Sequence, residues 1–113
     1  MSTSIGLFRV TSDNFDDLVL GSDLPVLVDF YADWCGPCSA LAPTLEDLRR
    51  DLEGRVRIAK VDVDAEPELA RRFGVQSIPA LIRFRDGQQV DRLVGVLPRA
   101  VIEKRLLEVA EAA

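Results

Sequence analysis

The stretch VLVDFYADWCGPC, residues 26–38, joins a predicted strand to a predicted helix. Its strand part, residues 25–32, is apolar on both faces apart from Asp29, which predicts a central strand that is buried on both sides. From Cys35 onward the apolar spacing becomes helical, with one stripe formed by Leu41, Leu45, Leu48 and Leu52. Both cysteines of the chain, Cys35 and Cys38, therefore lie where the strand gives way to the helix.

Other elements are predicted on either side of this stretch. They are a weak strand at 5–10, a short helix capped by Thr11, Ser12 or Asp13 and reaching about Leu20, a buried strand at 56–63, a short helix from Pro67 to Phe73, strands at 80–84 and 88–94, and a last helix from Pro98 with Ile102, Leu106 and Val109 as its apolar stripe. Asp86-Gly87 between two of these strands is a strong signal for a two-residue hairpin. The order predicts an α/β fold, with a mixed sheet and helices on both of its faces.

The composition is that of an ordinary globular protein with one domain, residues 1–113. A net charge of −5 disfavours nucleic acid and anionic membrane as main partners. The sequence has no apolar run long enough to span a membrane and no pattern typical of a secretory signal. We therefore expect a cytoplasmic protein, in a compartment where structural disulfides are rare.

The chain contains no histidine. This absence excludes Ser-His and Cys-His nucleophile pairs, and it excludes every metal site that uses an imidazole ligand. Any catalysis must therefore use sulfur, carboxylate or lysine side chains.

The two cysteines are spaced for redox chemistry. Residues three apart on a helix lie on one face, so the sulfurs of Cys35 and Cys38 can reach disulfide distance. Cys35 lies beside the free N–H groups and the positive end of the helix, which favour the thiolate, the species that attacks. Cys38 is one turn further in and gains less. The sequence predicts an asymmetric pair, with Cys35 as nucleophile and Cys38 as resolving thiol.

Two other uses of the pair are weaker. A structural disulfide that closes so short a ring stabilises the fold by only ~2 kcal/mol, against ~3 kcal/mol for a loop of about 15 residues. Tetrahedral zinc needs four ligands, and this chain offers two sulfurs and no imidazole. A metal- or cluster-binding module made by two chains that share one ion remains the alternative from a different class.

On these residues the chain resembles the thioredoxin family. The resemblance covers about residues 5–111 and is carried by residues 26–38 together with Ala42-Pro43, Lys60-Val61-Asp62, Ser77-Ile78-Pro79 and Val94-Gly95. It implies a central five-stranded mixed sheet flanked by four helices, and it implies the reduction of disulfides in other proteins.

The resemblance also implies roles for individual residues. Cys35 attacks and forms a mixed disulfide with the substrate, and Cys38 then displaces the reduced substrate. Asp29 lies beneath the site as a proton acceptor that helps to activate Cys38, and Lys60 supports it from nearby.

A docking surface around Cys35 is implied in the same way. Pro79 matches a cis-proline that packs against the disulfide, and Ile78 before it offers backbone hydrogen bonds to the substrate. The expected substrate-binding rim is Trp34, Gly36, Pro37, Ile78, Pro79, Gly95 and Val96.

The resemblance implies no bound cofactor beyond the redox-active disulfide and no bound metal. It implies disulfide-containing protein substrates, a thioredoxin reductase that is flavin-containing and fed by NADPH, and a monomer. We expect a general cytoplasmic thiol reductant, with a reductase dedicated to one partner system as the alternative.

Some positions bear on whether the cysteine pair reduces or forms disulfides, and on the choice of partner. A protonated histidine in place of Pro37 would stabilise the thiolate and make the pair more oxidising, so Pro37 predicts a reductant rather than a disulfide-forming oxidase. Ser39 follows Cys38 where the family usually has a basic residue, and Tyr31 stands where tryptophan is frequent. These departures concern partner choice and not the class of reaction.

Overall fold

The computed structural model of the protein describes the backbone of residues 7–111 and the side chains of residues 7–108. Within these residues the strands are β1 (Phe8–Arg9), β2 (Val26–Tyr31), β3 (Arg57–Asp62), β4 (Ala80–Arg85) and β5 (Gln88–Val94). The α-helices are α1 (Gly36–Asp51), α2 (Pro67–Arg72) and α3 (Arg99–Glu111). A short helical segment, Asp16–Leu20, has the wider hydrogen bonding of a π-helix.

The strands form one mixed sheet in the order β1-β3-β2-β4-β5. β1, β3 and β2 run parallel, while β4 is antiparallel to β2 and β5 is antiparallel to β4. β2 is the middle strand, and the side chains of Val26–Phe30 are all buried. The predicted central strand and the predicted α/β mixed sheet are both confirmed.

A hydrophobic core lies on each face of the sheet, because successive side chains of a strand point to opposite faces. One core joins Val28 and Phe30 to Phe15 and Phe84. The other packs Leu27 against the predicted stripe of α1, formed by Leu41, Leu45, Leu48 and Leu52. Full burial of one such leucine contributes roughly 1.5–3 kcal/mol, so this stripe holds α1 firmly on the sheet with its first turn beyond the end of β2.

The predicted hairpin is also confirmed. Asp86 and Gly87 connect β4 to β5 and have φ values of 51° and 81°. Positive φ at both central residues is the requirement of a tight hairpin turn whose twist matches that of the strands, and aspartate and glycine meet it at low cost.

The prediction for residues 11–20 is correct in a short helix that reaches Leu20 but wrong about its cap. The helical segment begins at Asp16 and has no side-chain cap. The Thr11 N–H donates to Asn14 Oδ1 at 2.8 Å, while the Ser12 N–H and hydroxyl both donate to Glu66. The Ser12 hydroxyl is thus used in a contact with a distant loop, and no side chain caps the helical segment.

At both ends of the chain the predicted elements run into residues outside the described part. Of the strand predicted at 5–10, the structure shows Phe8–Arg9, and residues 5 and 6 lie outside the described part. In the last helix Ile102 and Leu106 are buried as predicted, whereas the side chain of Val109 lies outside the described residues. Among residues 7–111, no helix combines the length and the apolar character that crossing a membrane requires.

Candidate redox site

Cys35 and Cys38 lie at the start of α1, as the sequence predicts. Cys35 is the N-cap residue with an extended backbone (φ −88°, ψ 106°), and Cys38 lies in the first turn. The two are joined by a disulfide with a Cα–Cα distance of 5.2 Å, which is within the ordinary range for such bonds. The chain therefore bridges its only two cysteines without leaving normal helix geometry.

The first turn of α1 directs a backbone donor at one of the two sulfurs. The Cys38 N–H donates to Cys35 Sγ at 3.2 Å, and the Cys35 N–H donates to the carbonyl of Ala32 at 3.1 Å. The N–H groups of a first helical turn have no partner within the helix and carry its positive end. Once the disulfide is reduced, this donor stabilises negative charge on Cys35 Sγ, which is the asymmetry that the sequence predicts.

The disulfide is nearly enclosed. Cys35 is 4% and Cys38 is 6% exposed, and both pack in a small cluster with Ala32. Cys35 Sγ lies 3.9 Å from the carbonyl oxygen of Ile78. Because so little of the pair is open to solvent, a large substrate can reach the sulfur only by lying against the surrounding rim.

The predicted rim residues other than Pro79 lie at the start of α1, in the turn before it, and in the loops before β4 and after β5. Trp34 is 71% exposed and Val96 is 49% exposed. Gly36 and Pro37 are also exposed, while Ile78 and Gly95 are half-buried. The rim therefore combines one large aromatic side chain with small residues and backbone.

Pro79 differs from the expectation of a surface residue. It is buried, because it stands at the start of the fully covered strand β4. The Ile78–Pro79 peptide bond is cis, in agreement with the family match. The carbonyl of Pro79 accepts from the Gly95 N–H at 2.9 Å, which ties the two rim segments, Ile78–Pro79 and Gly95–Val96, together.

A contact that the sequence did not predict orients Trp34. Its indole N–H donates to Asp64 Oδ2 at 2.8 Å, across 30 positions of the chain. The loop that carries Asp64 is itself held, because Asp62 Oδ1 accepts from the N–H groups of Asp64 and Ala65. No local pattern in the sequence pairs residues this far apart, so Asp64 could be found only in the folded chain.

Asp29 is a buried carboxyl on the central strand β2. It is 4% exposed, and its Oδ1 has no hydrogen-bond partner among the described residues. Burial raises the pKa of Asp29 from 3.8 to about 7, although the positive charge of Lys60 acts to lower it. A buried carboxyl disfavours its charged form, so burial brings the pKa of Asp29 close to neutral pH.

A cleft of about 150 Å³ is lined by both Asp29 and Cys38. The residues that line it are Asp29, Tyr31, Ala32, Asp33, Cys38, Ser39, Ala42 and Lys60. The predicted Asp29, Cys38 and Lys60 are thus brought to one cleft on the α1 side of the sheet. Ser39 and Tyr31, which both depart from the family pattern, line it as well.

Lys60 is placed beside Asp29 but is directed elsewhere. The two residues are Cα partners across β2 and β3. The Lys60 ammonium lies 4.4 Å from the centre of the Tyr31 ring, and no ion pair joins it to Asp29 in the described part of the chain. Lys60 therefore acts on Asp29 through its charge, at a distance.

Among residues 7–108 there is no group of three or more Cys, Asp or Glu side chains that could hold a metal ion. The two cysteines at a helix start suit dithiol–disulfide exchange, and the buried carboxyl of Asp29 lines the same cleft as Cys38.

Comparison with known proteins gives a consistent result. The family model described as Thioredoxin matches residues 6–108 of the chain. The chain is 48% identical over 101 residues to a thioredoxin of Mycobacterium tuberculosis, covering 89% of this chain and 87% of the relative. It is 46% identical over 101 residues to Thioredoxin 2 of Chlorobaculum tepidum, with coverages of 89% and 93%. It is 43% identical over 98 residues to Thioredoxin 1 of a Nostoc species, with coverages of 87% and 92%.

Proposed function

Because this chain belongs to the thioredoxin family, it is a protein-disulfide reductase that works by thiol–disulfide exchange, and we propose a role for each residue of its site in that reaction. The observation that carries the proposal is the Cys35–Cys38 disulfide at the start of α1, with the Cys38 N–H directed at Cys35 Sγ. The redox centre is this pair itself, and members of the family act without a bound cofactor.

In the first step the Cys35 thiolate attacks one sulfur of the substrate disulfide. A bond forms between Cys35 Sγ and that sulfur, the substrate S–S bond breaks, and the other substrate sulfur leaves as a thiolate and takes up a proton. Cys35 performs this attack because the N–H of Cys38 and the helix start stabilise its negative charge.

In the second step the Cys38 thiolate attacks Cys35 Sγ. The Cys35–Cys38 bond forms, the mixed disulfide breaks, and the second substrate sulfur leaves as a thiolate and takes up a proton. Two electrons have then passed from the dithiol to the substrate. The short spacing of the two residues, 5.2 Å between their Cα atoms, makes this step intramolecular and fast.

Asp29 is the proton acceptor for the second step. Cys38 is buried and must lose a proton before it can attack. Asp29 lines the same cleft, and its pKa of about 7 lets it accept that proton at neutral pH and release it afterwards. Lys60 supports this step as the positive charge that acts on Asp29 and keeps its pKa from rising further.

The rim binds the substrate around the scissile disulfide. The exposed Trp34 ring, the Gly36-Pro37 turn and Val96 offer a weakly polar surface that suits transient docking of many proteins. The backbone of Ile78 borders Cys35 Sγ, where it can pair with an extended substrate segment.

The family implies two kinds of partner, proteins that contain disulfides and a thioredoxin reductase. We further propose that the reductase is flavin-dependent and uses NADPH, that the chain works as a monomer of one domain, and that it acts in the cytoplasm on many substrates. A net charge of −5 supports protein rather than nucleic acid or membrane as the partner.

Reduction of insulin disulfides by dithiothreitol tests the proposal. The protein should accelerate the reduction, and Cys35→Ser should fall to the rate of dithiothreitol alone. Acceleration by Cys35→Ser would overturn the assignment of the nucleophile, and no acceleration by the wild-type protein would favour the dedicated reductase over the general one.

A further inference from the structure

Three side chains meet on one side of the sheet beside the resolving cysteine. Asp29 and Tyr31 are two residues apart on β2, so both point to the α1 side. Lys60 is the Cα partner of Asp29 on β3. All three line the cleft that also holds Cys38.

The Lys60 ammonium has two places to lie in this cleft. One is beside the Asp29 carboxyl, which is 4% exposed and has an oxygen without a hydrogen-bond partner among the described residues. The other is over the Tyr31 ring, and the ammonium lies there, 4.4 Å from the ring centre. Buried charges are normally paired, so the ring competes with the carboxyl for this cation.

We propose that Tyr31 is a positioning residue whose ring holds the Lys60 ammonium away from the buried Asp29 carboxyl. The consequence for turnover rests on the proposed role of Asp29 as proton acceptor. The positioning itself depends only on the three side chains and can be measured without turnover.

The other groups that line the cleft around Asp29 cannot lower its pKa as the positive charge of Lys60 does. Cys38 and Ser39 face the cleft from α1 and carry no positive charge, Asp33 faces it from the turn after β2, and the Asp29 partner on β4 is the apolar Leu81. Lys60 is the positive charge that acts to lower the pKa of Asp29.

The ring itself remains neutral. Burial raises the pKa of the Tyr31 hydroxyl above its usual value of 10.0, although the positive charge of Arg9 acts to lower it. The hydroxyl is therefore not required for the hold on Lys60. Removal of the hydroxyl should accordingly leave Asp29 unchanged, whereas removal of the ring should not.

Titration of the Asp29 carboxyl by carbon-13 NMR on the oxidised protein tests the proposal. Tyr31→Leu removes the ring and keeps an apolar side chain, and it should lower the pKa of Asp29 by about 1–3, the range expected when an opposite charge comes within ~4–6 Å. Tyr31→Phe is the matched control and should titrate like the wild type. Equal titration of Asp29 in the wild type and in Tyr31→Leu would overturn the proposal.

A second variant shows whether Lys60 is the cause. Lys60→Gln should raise the pKa of Asp29 much more in the Tyr31→Leu background than in the wild-type background, because only without the ring does the ammonium approach the carboxyl. If Lys60→Gln changed the pKa of Asp29 equally in both backgrounds, the proposal would be overturned, even if Tyr31→Leu by itself had shifted that pKa. The pH profile of insulin reduction then separates the positioning by Tyr31 from the proton-acceptor role of Asp29. If Tyr31→Leu shifts the pKa of Asp29 but leaves the pH profile unchanged, the positioning holds and the proton-acceptor role fails.

Discussion

The indole N–H of Trp34 donates to Asp64 Oδ2 at 2.8 Å, which joins the turn before the two cysteines to the loop after β3. Trp34 is 71% exposed, and a side chain so exposed would otherwise sample several rotamers. The bond gives it one orientation next to Cys35. An aromatic surface that is ordered before binding loses less entropy when a partner docks.

Asp64→Ala should weaken substrate docking without changing the chemistry. Loss of one hydrogen bond, about 0.5–1.5 kcal/mol, predicts a rise of about 2–10-fold in KM for a protein disulfide, with little change in kcat. Trp34 is the only tryptophan, so its fluorescence anisotropy reports the released ring directly. Asp64→Asn keeps an acceptor oxygen and should behave like the wild type; unchanged anisotropy in Asp64→Ala would contradict the assignment.

Cys38→Ser should stop the reaction after its first step. The Cys35 thiolate can still attack, but nothing displaces the substrate, so a stable mixed disulfide should form and appear by mass spectrometry. Trapping from a cell extract should capture many proteins if the chain is a general reductant and few if it is dedicated. Cys35→Ser is the control and should trap little, because Cys38 lacks the helix-start position; equal trapping by both variants would refute the asymmetry.

The stability of the fold should depend on pH through Asp29. Its pKa is raised by burial from 3.8 to about 7, so between these pH values the folded state binds more protons than the unfolded state. Stability from this source is therefore full below pH 4 and falls as pH rises to about 7. The loss amounts to about 4 kcal/mol, at ~1.36 kcal/mol for each unit of pKa difference.

Asp29→Asn removes this dependence. Urea denaturation of both proteins at pH 4, 6 and 8 should show the variant gaining on the wild type by up to about 4 kcal/mol as pH rises. A difference that stays constant with pH would show that Asp29 is ionised throughout this range. The absolute stability of the variant is not the test, because a buried amide has its own unsatisfied groups.

The same variant should slow the second chemical step. A proton acceptor must be deprotonated to act, so the rate at which the wild-type protein resolves a mixed disulfide should rise with pH through about 7. Asp29→Asn should lose that rise and be slower by about 100-fold above pH 7, at the lower end of the usual contribution of general base catalysis. Stopped-flow measurement of Trp34 fluorescence can follow the step, and wild-type rates in the variant would remove Asp29 from the mechanism.

A second buried charge, Arg83, lies on β4 beneath α3. It is 5% exposed and donates through Nη2 to Asp91 Oδ2 at 3.0 Å, and Arg105 also contacts Asp91 at 3.0 Å. The Nε and Nη1 of Arg83 have no partner among the described residues. Burial lowers the pKa of this guanidinium, against the effect of Asp91.

Arg83→Leu and Asp91→Ala should therefore differ in their effects on stability. Arg83→Leu leaves Asp91 paired with Arg105 and should be neutral or should stabilise the fold by about 1–2 kcal/mol. Asp91→Ala leaves the buried guanidinium unpaired and should cost about 3–5 kcal/mol. Chemical denaturation of the two variants decides this; similar losses in both would mean that Arg83 is itself required for packing.

The elements that the sequence predicts well are those whose signal is local. The run around Asp29 specifies a buried strand, the leucine stripe of α1 specifies its buried face, and Asp86-Gly87 specifies the hairpin. Each signal comes from neighbours within one or two turns of the chain. The error at residues 11–20 has the opposite origin, because the polar groups of Ser12 are taken by Glu66, 54 positions away.

The sequence by itself determined the junction between β2 and α1. It thereby determined that the sulfurs of Cys35 and Cys38 meet and that Cys35 lies at the helix start, because the spacing of residues along a helix is a property of the backbone alone. Only the tertiary structure decided that Asp64 orients Trp34, that Pro79 is buried, and that Lys60 lies over Tyr31 and not on Asp29. These contacts depend on how strands and loops that are distant in the chain are brought together by packing, and on which partner a flexible side chain then finds nearest.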